Sequence, residues 1–146
     1  MEHFERLVSM YSSAPIHNFY EGISLEIDGG KAVVQISIQD KRFFHAGMSA
    51  HGSVYFKLLD DAAYFACQSV IHDFFIVTTN FNTQLLRPIT GGKIYAEGVI
   101  EFQSKQLFSA SSKLYDEKGR LCGTGNGQFL KSRVRLEDVI GYSTAH

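Results

Sequence analysis

The residues best able to do chemistry stand inside one apolar stretch. Between His51 and Ile71, Asp60 and Asp61 are surrounded by Val54, Tyr55, Phe56, Leu58, Leu59, Ala62 and Ala63, and the apolar run continues to Val70. Aspartate is almost never fully buried without a partner. Left bare, it costs free energy until its pKa climbs and it takes up a proton. A carboxylate in that condition is a candidate general base or nucleophile. Adjacent residues on a helix point about 100° apart, so the two aspartates are not expected to share one role. Two readings are compatible with the residues. Either one carboxylate is functional, or one makes a structural polar contact while the other reaches solvent.

His51-Gly52-Ser53 opens the same stretch, with Ser53 as the expected N-cap. The first amides of a helix are unsatisfied donors, and the helix dipole adds partial positive charge there. Gly52 lets a ligand approach the backbone. The combination suits an oxyanion hole for a carbonyl reaction, although glycines start many helices and His51 fits equally well as a plain loop residue. His45, His51 and Asp60 match no standard metal-ligand spacing, and Cys67 and Cys122 lie far apart, so no metal site is expected. There is no G-x-S-x-G elbow for a serine nucleophile. Gly123, Gly125 and Gly127 sit in a strand pattern with no following helix, which excludes a phosphate-binding loop.

These residues need a scaffold, and the periodicities supply one. Phe4, Leu7, Val8 and Tyr11 predict a short amphipathic helix over 2–13. Leu25 and Ile27, then Ala32, Val34, Ile36 and Ile38, alternate about Asp28-Gly29-Gly30 and predict a hairpin. The central apolar stretch predicts a helix over about 52–71, buried on all sides. Four long strands follow. The first alternates Val77, Thr79, Phe81, Thr83 and Leu85 against Ile76, Thr78, Asn80 and Asn82. The next sets Ile94, Ala96, Gly98, Ile100 and Phe102 on one face. The third alternates through Phe108, Ala110, Ser112 and Leu114, and the last runs from Leu121 to Leu130. Its glycines share one face, which implies a large group against that backbone. The tail beyond Arg135 is expected to be loosely held. Short turns imply antiparallel pairing. The fold class is therefore α+β, a single domain over 1–146 in which a curved antiparallel sheet covers the central helix.

Composition narrows the function classes. The 146 residues are 45% hydrophobic and 20% charged, as in ordinary globular proteins. Fourteen basic and fifteen acidic residues leave a net charge of −1, so neither nucleic acid nor an anionic membrane is an expected partner. No stretch approaches the roughly 20 apolar residues of a membrane span. Two cysteines suit free thiols, and with no secretory signal at the start a cytoplasmic location is expected.

The segment from His45 to Ser53, followed by Leu58-Leu59-Asp60-Asp61-Ala62, resembles the hotdog-fold acyl-CoA thioesterases, most of all the phenylacetate-pathway and human thioesterase-superfamily branch. The likeness runs from about Phe19 to Ser132. His51, Gly52 and Asp60 match that family's His-Gly-Gly helix start with an acidic residue nine positions on. Val77-Thr78-Thr79-Asn80-Phe81-Asn82, ending in Arg87-Pro88, matches the strand after the helix. The resemblance implies a hotdog domain and hydrolysis of acyl-CoA or acyl-carrier thioesters, with coenzyme A as part of the substrate and no separate cofactor. It implies Asp60 as general base or nucleophile, the Gly52 amide as oxyanion donor, Thr78 orienting water or the carboxylate, and His51 positioning the carbonyl. His45, Ser53, Phe44, Tyr55 and Asn80 would contact substrate. It also implies a homodimer or dimer-of-dimers tetramer, with Asp60 and Thr78 of one subunit facing His51 and Gly52 of another. Two positions depart from the pattern: Ser53 stands for the second glycine, and His45 stands where many members have asparagine. An apolar acyl pocket is expected from Phe43, Phe44, Tyr55, Phe56, Phe74, Phe75 and Phe81, each of which suits the core equally well. A non-catalytic acyl-CoA-binding protein on the same scaffold is the alternative function. A hotdog dehydratase ranks last, because the loop from Asp40 to Ala50 carries no proline.

Overall fold

The computed structural model describes residues 2–143. Helix α1 (His3–Ser13) leads through a 3-10 turn (Pro15–Asn18) into strands β1 (Ser24–Asp28) and β2 (Lys31–Ser37). Helix α2 (Gly52–Gln68) follows, then β3 (Phe74–Leu85), β4 (Lys93–Gln103), β5 (Leu107–Tyr115) and β6 (Leu121–Arg135). All pairings are antiparallel, in the order β1-β2-β4-β5-β6-β3. The sheet curves around α2, which is the architecture the resemblance implied.

Small residues let helix and sheet approach closely. A Cβ on Gly98 of β4 would collide with the backbone of Ala62 and Ala63 in α2. Ser112 of β5 donates to the Leu59 carbonyl at 2.8 Å and holds the helix down from within the core. Leu58, Leu59, Ala62 and Ala63 are fully buried there. On β6, Gly125 and Gly127 make room for the Phe81 ring, the large group their spacing implied.

Several expectations are corrected. Helix α2 ends at Gln68 instead of residue 71. The buried Gln68 side chain explains the stop: its Nε2 donates to the carbonyls of Ile71 and Phe74, and its Oε1 accepts from the Ile76 amide, which bends the chain back into β3. Nor is α2 buried all round, since Phe56 is 44% exposed. Strand β4 carries a bulge between Ile100 and Phe102. The extra residue flips the alternation, so Phe102 is exposed instead of facing the helix. Strand β6 runs five residues beyond Leu130, to Arg135. The tail is not loose where it is described. Leu136 is buried, Arg6 donates to the Tyr142 carbonyl, and the Tyr142 hydroxyl bonds the His3 ring at 2.8 Å. Residues 144–146 lie outside the described residues.

Candidate active site

A cavity of about 420 Å³ opens beside the middle of α2. Its walls are Met10 and Tyr11 of α1, Tyr64 and Phe65 of α2, Phe75 and Val77 of β3, and Val139 and Ile140 of the tail. Asp60, Asp61, Lys57, His17 and Thr78 supply its polar groups. Two segments that the sequence pattern left out of the site, α1 with its 3-10 turn and the tail, therefore close the pocket.

The two aspartates separate as helical geometry requires. Asp61 is fully engaged: the Tyr11 hydroxyl donates to its Oδ2 at 2.6 Å, and the Lys57 ammonium, one turn earlier, sits 2.8 Å from the same oxygen. The structural role falls to Asp61. Among the described residues Asp60 has no counter-ion of its own. It accepts one hydrogen bond, from the Thr78 hydroxyl at 3.1 Å. Burial pushes its pKa up to about 6, and the neighbouring Asp61 charge adds to that, against the Thr78 hydroxyl and the Lys57 ammonium. It is thus a carboxylate poised to take a proton near neutral pH.

A second β-bulge aims Thr78 at Asp60. β3 shifts register between Thr78 and Asn80. Before it, Ile76 and Thr78 face the helix. After it, Phe81 does, with its ring packed edge-on against Phe56 at 5.5 Å. The uninterrupted alternation expected for this strand had put Phe81 and Thr78 on opposite faces. Asn80 instead joins Asn82 and Asn126 in a polar cluster on the outer face of the sheet, away from the Asp60 pocket. Upstream, the Tyr64 hydroxyl donates to the Ile76 carbonyl at 2.7 Å. Tyr64 and Gln68 thereby fix the start of β3, a role not legible in the sequence.

His51, not Ser53, caps α2. Its Nδ1 accepts from the Ser53 amide at 3.0 Å, which leaves the ring proton on Nε2. Gly52 follows at the first helical position, against the Leu85 side chain. Gly52 and Asp60 are about 12 Å apart along the helix axis. One chain does not bring them to the same atom. His45 is absorbed by its own loop, accepting from the Gly47 amide and bonding the Ser49 hydroxyl, each at 3.0 Å. Phe44 bridges to Ala50 at the base of that loop. Tyr55 is turned into the core, with its hydroxyl on the Arg87 carbonyl at 2.6 Å, and does not reach the pocket. Of the seven aromatic residues expected to line a pocket, Phe75 alone lines this cavity. Phe43 packs on Tyr20 and Phe19.

Among the described residues no three His, Cys, Asp or Glu side chains gather closely enough to hold a metal ion. Among the described residues no helix is long and apolar enough to cross a membrane. Both cysteines are buried free thiols.

The sequence profile of the thioesterase superfamily matches residues 48–123, just over half of the chain, from the loop before α2 into β6. No curated protein matches the sequence significantly. Solved structures do resemble it. The PaaI protein from the phenylacetic acid degradation operon of E. coli is 21% identical, with a TM-score of 0.79 over 91% of this chain and 97% of that one. A thioesterase from Haemophilus influenzae is 18% identical, with a TM-score of 0.75 over 89% of this chain and 90% of its own. A mutant of the phenylacetic acid degradation protein PaaI from Thermus thermophilus is 20% identical, with a TM-score of 0.72 over 82% of this chain and 100% of its own. At these identities the likeness establishes the hotdog fold.

Proposed function

The chain belongs to the thioesterase superfamily, and from that premise we propose that it hydrolyses acyl thioesters, of coenzyme A or an acyl carrier, with Asp60 as the reacting carboxylate. The observation that carries the reading is Asp60 itself: half-buried, bound by one hydroxyl, raised to about 6 and facing an apolar cavity. A thioester carbonyl is already activated, so a base and a fixed oxyanion donor suffice. As base, Asp60 takes a proton from water as the water attacks the carbonyl carbon. As nucleophile, it attacks that carbon and water opens the resulting anhydride. Either route breaks the carbon–sulfur bond and releases the thiol and the acid. Thr78 holds one carboxylate oxygen and leaves the other for the proton or the carbonyl. General base catalysis contributes about 10²–10⁴-fold, and an oxyanion donor about 10²–10³-fold.

The oxyanion donor comes from a second copy of the chain. Among the described residues the outer edge of β3 pairs with no strand, and Phe56, Val77, Leu85 and Leu86 are all more than 40% exposed. Antiparallel pairing of two β3 edges covers these groups and removes an open strand edge. With the pairing centred between Phe81 and Asn82, Thr78 lies opposite Leu85 of the second copy. Gly52 packs on Leu85, so that copy's Gly52 amide and His51 Nε2–H reach the thioester held at Asp60. Asp60 bonds Thr78 and Gly52 packs on Leu85, at separate points along β3, and this separation supports such a dimer.

The test is thiol release from a panel of acyl-CoA thioesters, straight-chain and aromatic, by wild type and Asp60→Asn. Release that the substitution abolishes supports hydrolysis at Asp60. Saturable acyl-CoA binding with no release from any thioester points instead to an acyl-binding protein.

A further inference from the structure

The 3-10 turn after α1 places a histidine against the ion pair beside Asp60. The His17 Nδ1–H donates to the Tyr11 carbonyl, which can only accept. That fixes the tautomer and leaves Nε2 as an acceptor. The Lys57 ammonium donates to Nε2 at 2.9 Å and sits 2.8 Å from Asp61 Oδ2. The Tyr11 hydroxyl donates to that same oxygen and closes the ring of contacts. The Tyr11 and Tyr20 rings flank the ammonium at 5.4 and 5.3 Å. Lys57 and Asp61 side chains are 14% and 15% exposed, so water screens the pair little.

Asp60 and Asp61 lie three and four residues after Lys57, and both positions are within reach of a lysine on one helix face. Nothing in α2 alone makes the ammonium prefer Asp61. The hydrogen bond to His17 ties the ammonium on the α1 side, where the Tyr11 and Tyr20 rings also face it. We propose that His17 is a positioning residue for Asp60: it pins the Lys57 ammonium on Asp61 and keeps it off Asp60. An ammonium shared with Asp60 would stabilise the carboxylate and weaken it as a base. The other titratable groups around Asp60 are Tyr11 of α1 and Tyr64 of α2, and both phenols stay neutral, held high by burial. β3 contributes the Thr78 hydroxyl, and the described part of the tail contributes the apolar Val139 and Ile140 to this cavity. Burial and then Lys57 lower the His17 pKa, which keeps its ring neutral and accepting near pH 7. The inference rests on Asp60 as the reacting group.

The experiment compares wild type, His17→Leu and His17→Gln. In His17→Leu the acid limb of kcat against pH moves below the wild-type position near 6, and the plateau falls about three- to tenfold, with little change in KM. His17→Gln puts an amide oxygen where Nε2 was, accepts from Lys57 and restores both. A residue that only packed would change the melting temperature and leave the limb in place. An unmoved limb in a folded His17→Leu protein overturns the proposal. Carbon NMR titration of the Asp60 carboxyl reads the same shift without any substrate. If no thioester is hydrolysed, the functional reading fails, and the NMR shift still decides for or against the contact with His17.

Discussion

Asp60→Asn is expected to abolish hydrolysis and to make the protein more stable. The side chains are nearly isosteric, and the amide oxygen still accepts from Thr78, whose bond is 3.1 Å. What changes is the charge. The folded carboxyl titrates at about 6 against an ordinary 3.8. The folded state therefore binds the proton more tightly than the unfolded chain. That stabilising contribution is complete below pH 3.8 and is lost as pH rises through about 6. At pH 8 the wild type carries the whole cost of a desolvated carboxylate, and the asparagine variant carries none. A shift near two units corresponds to at most about 3 kcal/mol, and the partial exposure of the group brings the expectation to roughly 1–3 kcal/mol. For a chain of this size that is a rise of roughly 3–10 °C in melting temperature. Thermal melts by circular dichroism at pH 8 and pH 4, at one protein concentration, measure it, with thiol release run on the same samples. The variant should melt higher at pH 8 and level with wild type near pH 4. Equal melting at both pH values, or a variant less stable at pH 8, would refute the claim that burial strains this carboxylate.

Asp61→Asn removes the like charge beside Asp60, so the acid limb of activity should move below about 6. The same change leaves Lys57 without its anion and should lower stability by about 1–3 kcal/mol, read from a urea melt. Gly98→Ala drives a methyl group into the Ala62 carbonyl. It should cost about 1–3 kcal/mol or more and appear as a lower melting temperature or loss of soluble protein. Phe75→Ala widens the cavity beside Tyr64, whose ring Phe75 packs against. Preference should move toward larger acyl groups by roughly tenfold in relative kcat/KM, measured across the thioester panel. An unchanged preference would place the acyl group elsewhere than this cavity.

Local patterns in the chain carry much of the fold. Period-two alternation in β2 and β5 names their buried faces correctly, because one side of each strand meets the helix and the other meets water. The apolar run from Val54 to Cys67 marks the covered helix, and Gly125 and Gly127 of β6 announce the ring of Phe81. The two carboxylates stand out for the same reason: charge is rare where every neighbour is apolar. Periodicity fails wherever one residue is inserted without any change in composition. The bulges at Ile100/Phe102 and Thr78/Asn80 are such places. They expose Phe102, aim Thr78 at Asp60 and turn Asn80 away. Gln68 ends α2 by bonding carbonyls three and six residues later, a match that exists only once the chain has turned back.

The resemblance pointed to Asp60 as the reacting carboxylate, but local pattern alone left open which aspartate the structural contacts would take. Adjacent residues have nearly the same local environment along the chain. They differ because Tyr11 comes from fifty residues away to bond Asp61, while Thr78 comes from the following strand to bond Asp60. The sequence by itself determined that a carboxylate must be held in an apolar helix at the centre of a wrapped sheet. Only the tertiary structure decided which of the two takes the contacts of Tyr11 and Lys57, what closes the pocket and what sets the charge. Burial and counter-ions act through space, and the groups that supply them here are far apart in the chain.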